Sequence, residues 1–160
     1  MERKYVAAEL FTSGCNCAQA VVVAYCDEIG LDRETALKLS SSFGGGMGKL
    51  REVCGSCTGA FAVAGLLWGY ADVSDHKLKS SHYELIRRIA DEFKEKNQTI
   101  ICRELLEGIK NTKGKDPAKR DEEYYKTRPC CKFVMDACEI LDKIIAEKQE
   151  EEQSEYAEIK

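Results

Sequence analysis

Nine of the 160 residues are cysteine, at positions 15, 17, 26, 54, 57, 102, 130, 131 and 138. A thiolate serves as nucleophile, metal ligand or redox group, so cysteine is the residue type here with the most chemistry to offer. Cys54 and Cys57 form a C-x-x-C within REVCGSCTGAF, residues 51–61, a spacing used by dithiol redox pairs and by metal sites. The count is odd, and the chain is long enough to build a core without covalent staples. The N-terminal MERKYVAAEL lacks the apolar run of a signal peptide, so the sequence reads as cytoplasmic. In that reducing compartment cysteines are metal-binding, redox-active or simply buried.

Hydrophobic periodicity is helical nearly throughout, with no alternating strand pattern, which predicts an all-α, single-domain bundle of about five to seven helices. The domain spans residues 1–148, and the acidic segment 149–160 reads as frayed or disordered. Tyr5, Val6, Leu10 and Phe11 mark a first helix over 2–12, and CNCAQAVVVAYCDEIG a second over 15–30, stopped by Gly30. Asp32 caps a third. GGGMG at 44–48 is the sharpest break, and from about Leu50 to Tyr70 the chain is small and apolar all round, as in a buried central Gly/Ala-rich helix. Ser74 or Asp75 opens a long amphipathic helix to about Lys96, with Leu78, Leu85, Ile89 and Phe93 as its stripe. A short helix follows at 102–109. KNTKGKDPAKRDEE, residues 110–123, reads as a loop, and a last helix starts near Pro129.

These helices sort the thiols. Cys17, Cys54, Cys102 and Cys130 all fall at or near predicted helix starts, where partial positive charge and free N–H groups favour thiolate. Four such thiolates are able to converge on one metal or redox centre. Cys57 shares a helical face with Cys54, whereas Cys26 lies about half a turn from Cys17 and Cys138 flanks its helix's apolar stripe. The plainer reading treats each cysteine as a small buried hydrophobe, and it suits Cys26 and Cys138 best.

The blocks GCNCAQAVV, FGGGMGKLREVCGSCTGAFAVAGL, CRELL and RPCCKFVMDACEIL, in that order, resemble the C_GCAxxG_C_C family of redox-active proteins over roughly residues 11–145. The resemblance implies a redox role and carries the family's cysteine positions onto Cys17, Cys54, Cys102 and Cys130. A similar domain in a split-Soret type cytochrome suggests an iron–sulfur centre as one use of such a scaffold. This chain departs from the family pattern in CGSCTG, where Ser56 and an additional Cys57 leave two candidates, Cys54 and Cys57, for the working thiol.

Two chemistries fit this set. Cys17, Cys54, Cys102 and Cys130 suit an iron–sulfur cluster for electron transfer or redox sensing, or less readily a Zn²⁺ ion. Alternatively Cys54 with Cys57, or Cys54 with a distant cysteine, cycles as a thiol–disulfide oxidoreductase, although no βαβ pattern surrounds the motif. In air, two of Cys17, Cys54, Cys57, Cys102 and Cys130 are expected to join as a disulfide. No C-x-x-C-H occurs, which argues against covalent haem. GGGMGK lacks the Walker pattern and a preceding strand, so it reads as a turn that brings the thiol segment close to its neighbours. His76 and His82 are expected on a solvated helix face. Net charge is −4, which gives no electrostatic case for nucleic acid, and no apolar run is long enough to span a bilayer. The partner implied is a redox partner of unspecified identity, and a homodimer stays open.

Overall fold

A computed structural model of the chain describes residues 1–159. It is all-α: among the described residues there is no β-strand, only one isolated bridge between Val53 and Ile101. The elements are α1 (Arg3–Thr12), α2 (Cys17–Ala24), α3 (Cys26–Ile29), α4 (Arg33–Ser40), the kinked turn α5 (Gly44–Met47), α6 (Gly55–Trp68), α7 (His76–Asn97), α8 (Cys102–Leu105), α9 (Glu122–Thr127) and α10 (Cys130–Glu158). A one-turn 3-10 segment, Ser41–Phe43, links α4 to α5.

Capping chemistry sets the main boundaries. Asn16 and Gln19 form a reciprocal capping box at the start of α2, while Asp32 and Asp75 cap α4 and α7 through their carboxylates. Gly30 ends α3 in the left-handed conformation that glycine adopts without steric cost. The core lies where α1, α2, α6, α7 and α10 meet, around Phe11, Val21, Val63, Ile89, Phe93, Val134, Leu141 and Ile144. Gly59 sets the approach of α6 to α2: a Cβ there would sit 3.0 Å from the Ala18 carbonyl oxygen and 3.1 Å from the Val21 Cβ.

Several elements differ from expectation, each for a physical reason. The helix read as 15–30 breaks at Tyr25. This fully buried ring holds its hydroxyl 2.9 Å from the Cys138 carbonyl and 2.8 Å from Asp142 Oδ1, tying the α2–α3 junction to α10. α6 begins at Gly55 rather than Leu50, because residues 51–54 are drawn into the bridge with 100–103. Its first half is buried, but Phe61, Leu67 and Trp68 are half-buried and Leu66 is 49% exposed, so its far end lies open. The loop read as 110–123 ends in α9, capped by Asp121, whose tyrosines pack on Phe11. Residues 149–158 continue α10 as exposed helix, since no glycine or proline follows Pro129 to stop it. Leu78 is 52% exposed and contributes little to the α7 stripe. Among the described residues no helix is long and apolar enough to cross a membrane.

Candidate multi-thiol site

The four cysteines singled out by helix position open four helices. Cys17 is the first residue of α2, Cys54 caps α6, and Cys102 and Cys130 begin α8 and α10. All four line one small cavity of about 40 Å³, together with Arg51, Arg120, Arg128, Tyr124, Phe133 and the Gly45 turn. Helix position alone does not select them, because Cys26 opens α3 and lies elsewhere, near Arg33 and Asp27. Cys138 is fully buried beside Tyr25, away from this cavity. Cys15 and Cys131 also fall outside its lining. All nine cysteines are free thiols, including the adjacent pair Cys130–Cys131.

Backbone contacts bring the thiols together. The Cys54 N–H donates to the Ile100 carbonyl at 2.7 Å and the Cys102 N–H to the Glu52 carbonyl at 2.6 Å, so two segments 48 residues apart run side by side. This pairing is one residue pair long, too short to leave an alternating pattern in the sequence. Two glycines make room for the side chains. A Cβ at Gly55 would lie 2.6 Å from the Cys17 sulfur, and one at Gly46 would lie 2.6 Å from the Cys102 Cβ. Gly46 also has φ +69°, a left-handed conformation that glycine adopts freely. The glycine-rich turn therefore acts as the sequence suggested, as a close-approach element under the thiol segment.

The electrostatics single out one thiol. A Cys54 thiolate accepts a hydrogen bond from the Cys57 S–H, and with further help from the backbone N–H groups of Ser56 and Cys57 its pKa falls from 9.0 to about 7. Cys57, 1% exposed and acting as donor, is pushed strongly upward by the same bond and by burial. Cys54 lines the cavity and is the more acidic member of the pair, while Cys57 lies behind it as the donor. The remaining three thiols depart from the expectation of thiolates at helix starts. Burial raises Cys17 to about 11, with Cys54 adding repulsion and the Gly45 N–H opposing it. Burial likewise raises Cys102, against a 3.5 Å hydrogen bond from Arg51 Nη1. Cys130 is raised by burial and then by the negative charge that Cys17, Cys54 and Cys102 would carry. Desolvation outweighs the helix ends, so the protein alone supports one thiolate rather than four.

Sequence reasoning missed the arginines. Arg51, Arg120 and Arg128 line the thiol cavity and no carboxylate does. Arg128 is 9% exposed, donates to the Asn111 carbonyl at 2.8 Å and lies 4.5 Å from the Tyr124 ring. Arg120 stacks over the Phe11 and Tyr124 rings at 4.8 and 4.6 Å. Arg51 Nε and Arg120 Nη1 are buried without a hydrogen-bond partner. The signal available beforehand was faint: Arg51 precedes the C-x-x-C, Arg120 lies inside the segment read as a loop, and Arg128 opens the RPCC block just before the last helix. Neither histidine joins the site. His76 is exposed as expected, but His82 is half-buried against Tyr70, with ring centroids 6.0 Å apart. Among the described residues no three or more His, Cys, Asp or Glu side chains are grouped at the spacing that holds a metal ion.

Fold and site together define a small helical protein built around a buried multi-thiol centre under a cationic wall. The chain belongs to the family described as Putative redox-active protein (C_GCAxxG_C_C), whose model matches residues 15–144. No curated protein and no solved structure matches it.

Proposed function

We propose that Cys17, Cys54, Cys102 and Cys130 hold an iron–sulfur cluster with which this redox-active protein transfers or senses electrons. The observation that carries the reading is the charge of the thiol cavity. Three guanidiniums, two with buried N–H groups lacking a partner, face a single thiolate with no carboxylate between them. Buried donors without acceptors are costly, and their presence argues for an anionic occupant. Four cysteine thiolates on a cluster supply such an anion, and the metal charge offsets the burial, and the lesser mutual repulsion, that raise Cys17, Cys102 and Cys130. A single Zn²⁺ fits less well. Four thiolates also suit a Zn²⁺ ion, but zinc has no redox chemistry and would leave the redox role of the family without a centre.

When bound, an iron–sulfur cluster supplies one-electron chemistry at a potential set by its surroundings. The chain supplies those surroundings. The Gly45 N–H donates toward Cys17, Arg51 Nη1 toward Cys102, and the Cys57 S–H with two backbone N–H groups toward Cys54, while the Arg128 charge faces Cys130. Donors on thiolate sulfur stabilise the more reduced, more negative state. Anaerobic reconstitution of the full chain with iron and sulfide tests the reading. Broad visible absorption with stoichiometric iron and acid-labile sulfide is expected, lost in Cys102→Ser and Cys130→Ser. Colourless wild-type protein without iron would overturn it.

One observation favours a second reading, the hydrogen-bonded Cys54–Cys57 pair at a helix start. There the Cys54 thiolate attacks one sulfur of a substrate disulfide, forming a mixed disulfide and expelling a thiolate. Cys57 then attacks Cys54 Sγ, losing its proton to the departing second thiolate, so two electrons pass to the substrate and a Cys54–Cys57 disulfide remains. Peptide mapping after reaction of metal-free protein with hydroxyethyl disulfide distinguishes the two. A Cys54–Cys57 crosslink with Cys102 and Cys130 still alkylatable supports this chemistry, and no crosslink rules it out.

A further inference from the structure

Beside the thiol cavity lies a larger one of about 270 Å³, which shares Gly45, Arg51, Arg120 and Arg128 with it and adds Lys49 and Lys115. Five cationic side chains thus line it, again with no carboxylate, in a protein whose net charge is −4. Among the described residues none of the five forms an ion pair with Asp or Glu. Lys49 and Arg51 reach it from a turn in which both take left-handed φ, +67° and +61°. Such conformations are costly for side-chain-bearing residues and persist where the surrounding structure imposes them, often at ligand sites. Lys49 is steadied by a short hydrogen bond to the Asp116 carbonyl and Arg51 by a 2.8 Å bond to the Thr112 carbonyl, so the cations are held in place.

We infer that this vestibule binds a small polyanion, carrying phosphate or carboxylate groups, and seats it against the thiol centre as the substrate or effector of the redox site. The inference rests on the redox reading for the ligand's role, whereas the binding itself depends only on the cationic wall. The five positive charges exceed what one thiolate neutralises, and a planar guanidinium presents paired N–H donors that match phosphate or carboxylate oxygens. The cavity of about 270 Å³ has room for a compact anion such as phosphate or a small dicarboxylate. The three shared arginines couple the two cavities, so a ligand here sits next to the thiols rather than at a remote surface.

Calorimetric titration of the full chain with inorganic phosphate and, separately, with malonate tests the inference. Saturable binding of at least one is expected, and the preferred anion identifies the ligand's acidic group. Lys49→Gln with Lys115→Gln, which leaves the lining of the thiol cavity intact, should weaken that binding by about tenfold or more, as loss of charge-assisted contacts predicts. Lys113→Gln, outside the vestibule, should leave it unchanged. Helicity by circular dichroism confirms that the variants fold. Iron and sulfide uptake should persist in the double variant, so loss of anion binding and failure of the cluster reading are told apart. No saturable binding of either anion, or equal weakening by Lys113→Gln, overturns the inference.

Discussion

Replacing Cys57 tests the electrostatic division of the C-x-x-C. The S–H of Cys57 is the largest influence holding Cys54 down, from 9.0 to about 7. A hydrogen bond to a charged group contributes about 1.5–3 kcal/mol, and one pKa unit equals about 1.4 kcal/mol, so Cys57→Ala should raise the Cys54 midpoint by about 1–2 units. The backbone N–H groups of Ser56 and Cys57 survive the substitution and keep the midpoint below that of a thiol buried without donors. At pH 7 the thiolate fraction then drops from about one half to about a tenth or less. Cys57→Ser keeps the side-chain shape at slightly smaller size and offers a stronger O–H donor, so the Cys54 midpoint should stay near 7 or fall. The assay is thiolate ultraviolet absorbance against pH on reduced, metal-free protein, with Cys54→Ser identifying which step belongs to Cys54. An unchanged midpoint in Cys57→Ala, or the same rise in Cys57→Ser, would refute the hydrogen-bond account and leave packing as the cause.

Stability should follow pH in two directions. Cys54 has its pKa depressed by folding, so its contribution is fully present above the unfolded value near 9.0 and is lost as pH falls through about 7, a swing of roughly 2–3 kcal/mol. The other eight cysteines are raised by folding, so as pH rises from about 8 through 9 the unfolded chain ionises more readily and stability declines. Urea midpoints of reduced protein from pH 6 to 10 should therefore peak at about pH 8, where the gain from Cys54 is overtaken by ionisation of the other thiols in the unfolded chain, and a monotonic fall from pH 7 would contradict the Cys54 assignment. Gly46→Ala puts a Cβ 2.6 Å from the Cys102 Cβ and 2.8 Å from the Glu52 nitrogen at φ +69°, and should cost at least about 2–3 kcal/mol in denaturant unfolding. Gly65→Ala, with nothing within 4 Å of its Cβ inside α6, should instead stabilise by about 0.5–1 kcal/mol.

Local signals in the sequence carried the helices and the identity of the four thiols. Apolar residues recurring at helical spacing marked α1, α7 and α10, and Asp32, Gly30 and Pro129 marked boundaries, because each acts on its immediate neighbours in the chain. Helix starts together with the family's cysteine blocks marked Cys17, Cys54, Cys102 and Cys130 as a set, because both are local properties of the chain. What depends on distant segments was decided only by tertiary structure. Cys26 also starts a helix yet lies apart, since direction across the fold is not encoded in spacing. Desolvation reversed the expected thiolate state of three thiols, and burial is a sum over all neighbours rather than a feature of one motif. The bridge joining Cys54 to Cys102 is a single residue pair, below the length at which a period appears. Arg120 belonged to an aperiodic polar stretch and Arg128 to the approach to the last helix until the fold stacked both on aromatic rings and closed them over the thiols.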